Sequence, residues 1–179
     1  MKPFEKGFTI IELIIALSIM VIVSGAAGAA IFQIFGNTER NSNYMTVARQ
    51  VQNAGYWINR DAQMALIITT DNLSLPDIIV MNWTEDAASE NPIYRTANYA
   101  IEDILDNTGT LKRKHSSTAG LSEETMVAKY IYYNPSDTDN STQVSYSGSL
   151  LTIQITSVLN NSLEIREYRI KQRPTTFTF

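Results

Sequence analysis

The sequence predicts an α+β protein: a long N-terminal helix, membrane-spanning in its first half and amphipathic in its second, packed on a C-terminal antiparallel β-sheet domain. Three observations carry this. An uncharged apolar run fills residues 13–35. Apolar residues then recur at helical spacing as Tyr44, Val47, Ala48, Val51, Ala54, Ile58, Ala62 and Ala65. Beyond residue 67, short β-prone runs alternate with polar turn-formers.

The apolar run reads LIIALSIMVIVSGAAGAAIFQIF, with Ser18, Ser24 and Gln33 its polar side chains. At 1.5 Å per residue such a helix covers about 34 Å, enough for a hydrocarbon core of roughly 30 Å. It is longer than the 7–15 residues of a discarded signal peptide's apolar region, although residues 25–30 imitate a small-residue cleavage site. A retained anchor fits better. Lys2 and Lys6 precede the run and Glu39 is the first charge after it. This places the N-terminus in the cytoplasm and residues beyond about 38 outside. Gly36-Asn37 is a candidate kink between the helix halves, and Gly55 should weaken the second half by about 1 kcal/mol relative to Ala.

In the C-terminal part, residues 78–83, 94–101, 110–114, 127–133, 143–146, 150–158 and 163–171 read as strands. Asn107-Thr108-Gly109, Ser147-Gly148 and Asn160-Asn161 read as turns, and 85–92, 116–124 and 134–142 as loops. Leu163 and Ile165 alternate, then Tyr168 and Ile170 take the opposite parity, which predicts a bulge or a strand buried on both sides. Trp57 and Trp83 are expected in core or interface packing.

The residue inventory excludes several function classes. The chain has 179 residues, no Cys and one His, His115. Disulfides, zinc–thiolate and Fe–S sites and thiol nucleophiles are ruled out. The formal net charge of −4 gives no electrostatic footprint for wrapping nucleic acid. Lys112-Arg113-Lys114-His115 is a short basic run that could touch phosphate but reads more simply as a solvated strand end. Asp137, Asp139 and Ser141 have the first spacings of a calcium loop. Thr142 replaces the glycine and Gly148 the final glutamate of that pattern, so no metal or other cofactor is expected. No catalytic triad can be argued, and no enzyme is expected.

Glu12 does not fit a plain anchor. It sits among Phe8, Ile10, Ile11 and Leu13. A carboxylate deep in a bilayer costs about 2–3 kcal/mol and is functional by default; at the cytoplasmic boundary it costs little. The run Lys6-Gly7-Phe8-Thr9-Ile10-Ile11-Glu12-Leu13 resembles the processing site of type IV prepilins and type II secretion pseudopilins. The resemblance implies four segments: a leader (1–7), a transmembrane and assembly helix (8–35), its amphipathic continuation (36–68) and a β-rich globular domain (69–179). It also implies cleavage between Gly7 and Phe8 by prepilin peptidase, on the cytoplasmic side, and methylation of the new Phe8 amine. Glu12 becomes the fifth mature residue, whose carboxylate is thought in the family to pair with the Phe amine of a neighbouring subunit. The implied partners are that peptidase, other pilin or pseudopilin subunits met through the helix, and the membrane.

A looser likeness points to the larger minor subunits, the J type of type II secretion and the W type of type IV pili. The phrase Ile58-Asn59-Arg60-Asp61-Ala62 resembles their helix segment with an Arg-Asp pair followed by Ala. Tyr99-Ala100-Ile101-Glu102-Asp103 with Leu111-Lys112-Arg113 resembles their strand–turn–strand ending in Leu-x-Arg. Ala128 and the stretch from Tyr168 to Arg173 fit loosely. The lack of Cys departs from the many Gram-negative major pilins that close a C-terminal loop with a disulfide. The expected role is a minor subunit, at the tip or in assembly initiation; the alternative is a ligand-binding minor pilin of a DNA-uptake or adhesion pilus.

Overall fold

The computed structural model describes residues 9–172 apart from 72, 74, 86 and 88. Gly7, Phe8, the leader and Arg173 lie outside the described residues. The chain divides into two compact units, Met1–Ser42 and Asn43–Phe179. One helix, α1 (Ile10–Met64), contributes to both. Its backbone stays α-helical through Gly36 and Asn37.

In the first unit the apolar side chains of α1 cover the whole helix circumference and are exposed from Ile10 to Phe35. A helix that is apolar all round has no polar face to offer water and must be covered by lipid or by other helices. It is long and apolar enough to cross a membrane.

The second unit is the last part of α1 lying on an antiparallel sheet. The strands are β1 (Ile67–Thr69), β2 (Asp77–Glu85), β3 (Ile93–Leu105), β4 (Thr108–Ser117), β5 (Ser122–Tyr132), β6 (Gln143–Ser147), β7 (Leu150–Leu159) and β8 (Ser162–Lys171). Their order is β1-β2-β3-β4-β5-β7-β6, with β8 also paired to β7. β8 lines one edge of β7 from Leu150 to Leu159, while β6 and β5 share the other, β6 over 150–154 and β5 at Ser157.

Val51, Ala54, Ile58, Ala62 and Ala65 pack into one core with Ile79, Met81, Tyr99, Ile101, Leu111, Ile131, Leu151, Ile153, Ile155 and Ile170. Each large side chain fully buried here contributes about 1.5–3 kcal/mol of transfer free energy. The helical stripe therefore holds from Val47 to Ala65, but Tyr44 does not join it and is 49% exposed. Trp83 is buried and Trp57 partly buried against the core. Polar side chains finish the joint. Asn53 Nδ2 donates to Val127 O at 2.5 Å and Gln50 Oε1 accepts from Lys129 N at 2.8 Å, serving backbone groups of β5 beside its register shifts against β4. At the helix end, Gln172 Nε2 donates to Ala65 O at 2.9 Å and Leu66 O at 2.7 Å, satisfying carbonyls that a helix C-terminus leaves unpaired.

Several expectations are corrected. The helix ends at Met64, and β1, which follows it, has no counterpart in the sequence reading. The loop expected at 116–124 contracts to 118–121, because β4 and β5 extend into it. The first turn is Asp106-Asn107, with φ 50° and 61°, the left-handed pair a two-residue hairpin requires. Thr108 and Gly109 are already strand. The first turn thus starts one residue earlier than expected, whereas the β6–β7 turn moves one residue on, to Gly148-Ser149, with φ 56° and 70°. Asn160-Asn161 is the β7–β8 turn, as expected. The parity slip in β8 is neither a bulge nor two-sided burial. Its register on β7 is unbroken, and Leu163 and Ile165 stand outward, 48% and 37% exposed. Glu164 and Arg166 take the other face and pair at 2.7 Å. Charge pairing let polar residues occupy positions that hydropathy alone assigns to leucine and isoleucine.

Gly55 is the largest correction. A Cβ there would lie 2.2 Å from Tyr168 Cζ. The hydroxyl end of the Tyr168 ring sits against the helix at Gly55, and its hydroxyl donates to Val51 O at 3.1 Å. The missing side chain lets the helix approach the sheet, so Gly55→Ala should destabilise by about 1–3 kcal/mol through overpacking instead of gaining the 1 kcal/mol of helix propensity. Urea unfolding of the full chain in detergent checks the sign. Adding Tyr168→Leu should reverse it.

Candidate functional site

Two constellations stand out, one in each unit. The first is the start of α1. Thr9 precedes the first helical residue and Glu12 lies three positions on. Glu12 Oε2 accepts from Thr9 N and from Thr9 Oγ1, both at 2.9 Å, and Thr9 Oγ1 accepts from Glu12 N at 3.3 Å. This is a reciprocal capping box, which satisfies backbone donors the first helical turn cannot pair internally. Glu12 is thus a helix cap as well as the acidic position of the motif. The Thr-x-x-Glu spacing was the sequence signal for it. Gly7 and Phe8, the other two expected site residues, lie outside the described residues.

The second is a buried polar centre between α1 and the sheet. Asp61 is fully buried. Its Oδ2 accepts from Tyr99 OH at 2.6 Å and Arg113 Nε at 2.5 Å, and its Oδ1 accepts from Arg113 Nη2 at 3.1 Å. Tyr99 faces Arg113 across the β3–β4 ladder, so the sheet register presents both donors to one helix position. Burial first, then the Asp61 charge, pushes the Tyr99 phenol far above its ordinary value. It remains a proton donor. Burial works against the Arg113 charge, but hydrogen bonding and attraction from Asp61 outweigh it and raise the guanidinium further. The Arg113 guanidinium carbon also lies 5.2 Å from the Trp57 ring centroid. Asp61 was legible in one respect. It falls three residues after Ile58 and four before Ala65, on the buried face of the helix, where a carboxylate demands a partner.

The basic run is taken up by the fold. Arg113 is held by Asp61. Lys112 pairs with Glu102 at 2.9 Å and Glu124 at 3.3 Å, and Lys114 with Glu102 at 2.5 Å. His115 stacks on Trp83, centroids 5.6 Å apart and planes 8° from parallel. It offers no row of free cations for phosphates. Asp137 is occupied by its own loop, accepting from Asn140 N at 3.1 Å and Tyr132 OH at 3.2 Å. The Asn140 amide first among these bonds holds its carboxyl below the usual range.

A family model described as the prokaryotic N-terminal methylation motif matches residues 3–28, the stretch that holds Gly7, Phe8 and Glu12. The match supports a type IV pilin-like protein. No curated protein and no solved structure matches the chain. The motif implies processing by prepilin peptidase and assembly with other pilins, and it suggests a structural subunit in place of an enzyme. With the apolar helix it supports anchoring in a membrane.

Removing one partner of the buried centre leaves a charge stranded. Asp61→Ala and Arg113→Met should each cost about 3–5 kcal/mol in unfolding experiments. The double variant Asp61→Leu/Arg113→Met should recover much of that loss, and Tyr99→Phe should cost about 1–2 kcal/mol.

His115 gives a pH signature. Burial first, then the Arg113 and Arg95 charges, hold its pKa below the ordinary value, against the opposite pull of Asp61 and Glu123. The folded chain therefore resists a proton that the unfolded chain takes up below about pH 6.5. Stability should fall as pH drops from 7 towards 5. His115→Phe, which can keep the stack on Trp83, should flatten that slope in thermal melts across the window.

Proposed function

We propose that this chain is a minor pilin or pseudopilin subunit. Prepilin peptidase cuts it after Gly7, leaving Phe8 as the first residue and an N-methylated amine. The subunit then enters a type IV pilus or a type II secretion pseudopilus through its apolar helix, at the tip or during initiation. The methylation motif over residues 3–28, in register with Gly7, Phe8 and Glu12, is the observation that carries this reading. Before assembly the N-terminus faces the cytoplasm and the sheet unit lies outside. In the filament, helices pack on neighbouring helices in a heterologous, non-closing arrangement, aided by the small residues from Ser24 to Ala30.

Glu12 sets the register of each incoming subunit. A carboxylate among apolar helices is costly when alone and tolerated when paired, so the Phe8 amine of a neighbour is its partner. The capping box supports a two-stage role: Thr9 holds the carboxylate ready while the subunit waits in the membrane, and the neighbour's amine claims it on assembly. The J- or W-type assignment draws support from the two phrases that suggested it. The Arg60-Asp61 helix segment and the Leu111-x-Arg113 strand meet in the buried ion pair.

Glu12→Ala should leave leader cleavage intact and abolish incorporation into the filament, while Gly7→Glu should leave the full-length precursor in the membrane. Immunoblots of membrane and sheared-filament fractions distinguish the two outcomes. Normal incorporation of Glu12→Ala would sink the assembly role.

A further inference from the structure

Outside the buried centre, α1 carries Arg60 four residues after Tyr56 and three after Trp57, spacings that bring it beside both rings. The Arg60 guanidinium carbon lies 4.8 Å from the Trp57 ring centroid, and Tyr56 meets Trp57 edge-on, centroids 6.1 Å apart at 78°. Tyr56 is 61% exposed and the Arg60 side chain 48% exposed. Charge here does not balance. Asp61 is fully engaged by Arg113 and Tyr99, and Arg60 Nε reaches only to 3.9 Å from Asp61 Oδ1. Two guanidinium groups thus face one carboxylate. Among the described residues no second acid lies within ion-pair distance of Arg60, whereas Arg95 pairs with Glu85 at 2.7 Å and Lys112 and Lys114 share Glu102.

We propose that Tyr56, Trp57 and Arg60 form a docking surface for a carboxylate-bearing segment of another protein subunit. Arg60 receives the carboxylate and the two rings cover the chain on either side of it. The chemistry fits in three respects. A guanidinium fork binds a carboxylate through two parallel hydrogen bonds. Stacking on the indole holds that fork in place beforehand, which lowers the ordering cost of association. Trp, Tyr and Arg are the residue types on which interface energy concentrates. A nucleic-acid strand fits less well, because it brings a charge at every phosphate and needs a tract of free cations, while this surface has one. The inference needs only the helix–sheet unit and stands apart from leader cleavage and from the filament the subunit joins.

The test uses the full-length chain in zwitterionic micelles, titrated at low salt with a capped tetrapeptide of alternating Glu and Leu. The chain has two tryptophans, and Trp57 reports on the surface through its emission. A saturable change is expected, weakened at least fivefold in Arg60→Gln and partly kept in Arg60→Lys. Arg60→Glu should reject the Glu peptide and accept its Lys counterpart. Trp57→Phe should remove the signal. Thermal unfolding midpoints close to the parent's establish that the variants fold. Absence of a saturable change, equal binding by the parent and Arg60→Gln, or tighter binding of a single-stranded oligodeoxynucleotide than of the peptide would each overturn the proposal.

Discussion

The Asp61 carboxylate is the point on which the helix–sheet unit is organised. It is fully buried on the helix face that meets the sheet, and three donors from two adjacent strands converge on it. An apolar stripe of alanine, valine and isoleucine can slide along a sheet with modest loss, since hydrophobic burial is non-directional. A buried carboxylate cannot. Moving the helix by one turn would leave Asp61 without Arg113 and Arg113 without Asp61, each a large desolvation penalty with nothing to offset it. The pair therefore adds less to net stability than to uniqueness: it selects one placement of α1 on β3 and β4. Gly55 and Tyr168 act in the same way further along the helix, through shape instead of charge.

At the other end of the chain the constraint is reversed. Among its described residues the first unit buries no core of its own, and its apolar side chains are exposed from Ile10 onward. The surroundings that satisfy it are lipid and other helices. In that setting backbone polar groups must be served locally, because no water replaces a missing partner. The Thr9–Glu12 capping box does this at the helix start. A single side chain thus serves both the local backbone and, in the proposed assembly, the neighbour's amine. This is why the acidic position can be retained in an otherwise apolar segment.

The basic run shows how tertiary context can cancel a sequence signal. Four consecutive cationic or titratable residues on a strand suggest an exposed patch. Strand alternation sends Arg113 and His115 to the helix side and Lys112 and Lys114 to the other. One pair is consumed by Asp61 and Trp83, the other by Glu102. The same alternation explains β8. Leu163 and Ile165 lie outward while Glu164 and Arg166 share the inner face with Tyr168 and Ile170, because the two charges neutralise each other. Hydropathy reads residues one at a time, while burial of charge is decided by pairs.

What the sequence by itself determined is whatever depends on near neighbours in the chain: the apolar helix, the amphipathic stripe from Val47 to Ala65, seven of the eight strands and the Asn160 turn. Helical periodicity, strand alternation and motif spacing are local, and they survive without knowledge of the fold. Tertiary structure alone decided that Asp61 meets Arg113 across 52 residues of chain, and that Gly55 makes room for Tyr168. It also decided that Ile67–Thr69 pairs with β2 and that Leu163 and Ile165 face outward. Each of these rests on a partner distant in sequence, and only the assembled sheet, by bringing that partner within a few ångströms, sets the cost of a buried charge or a close approach.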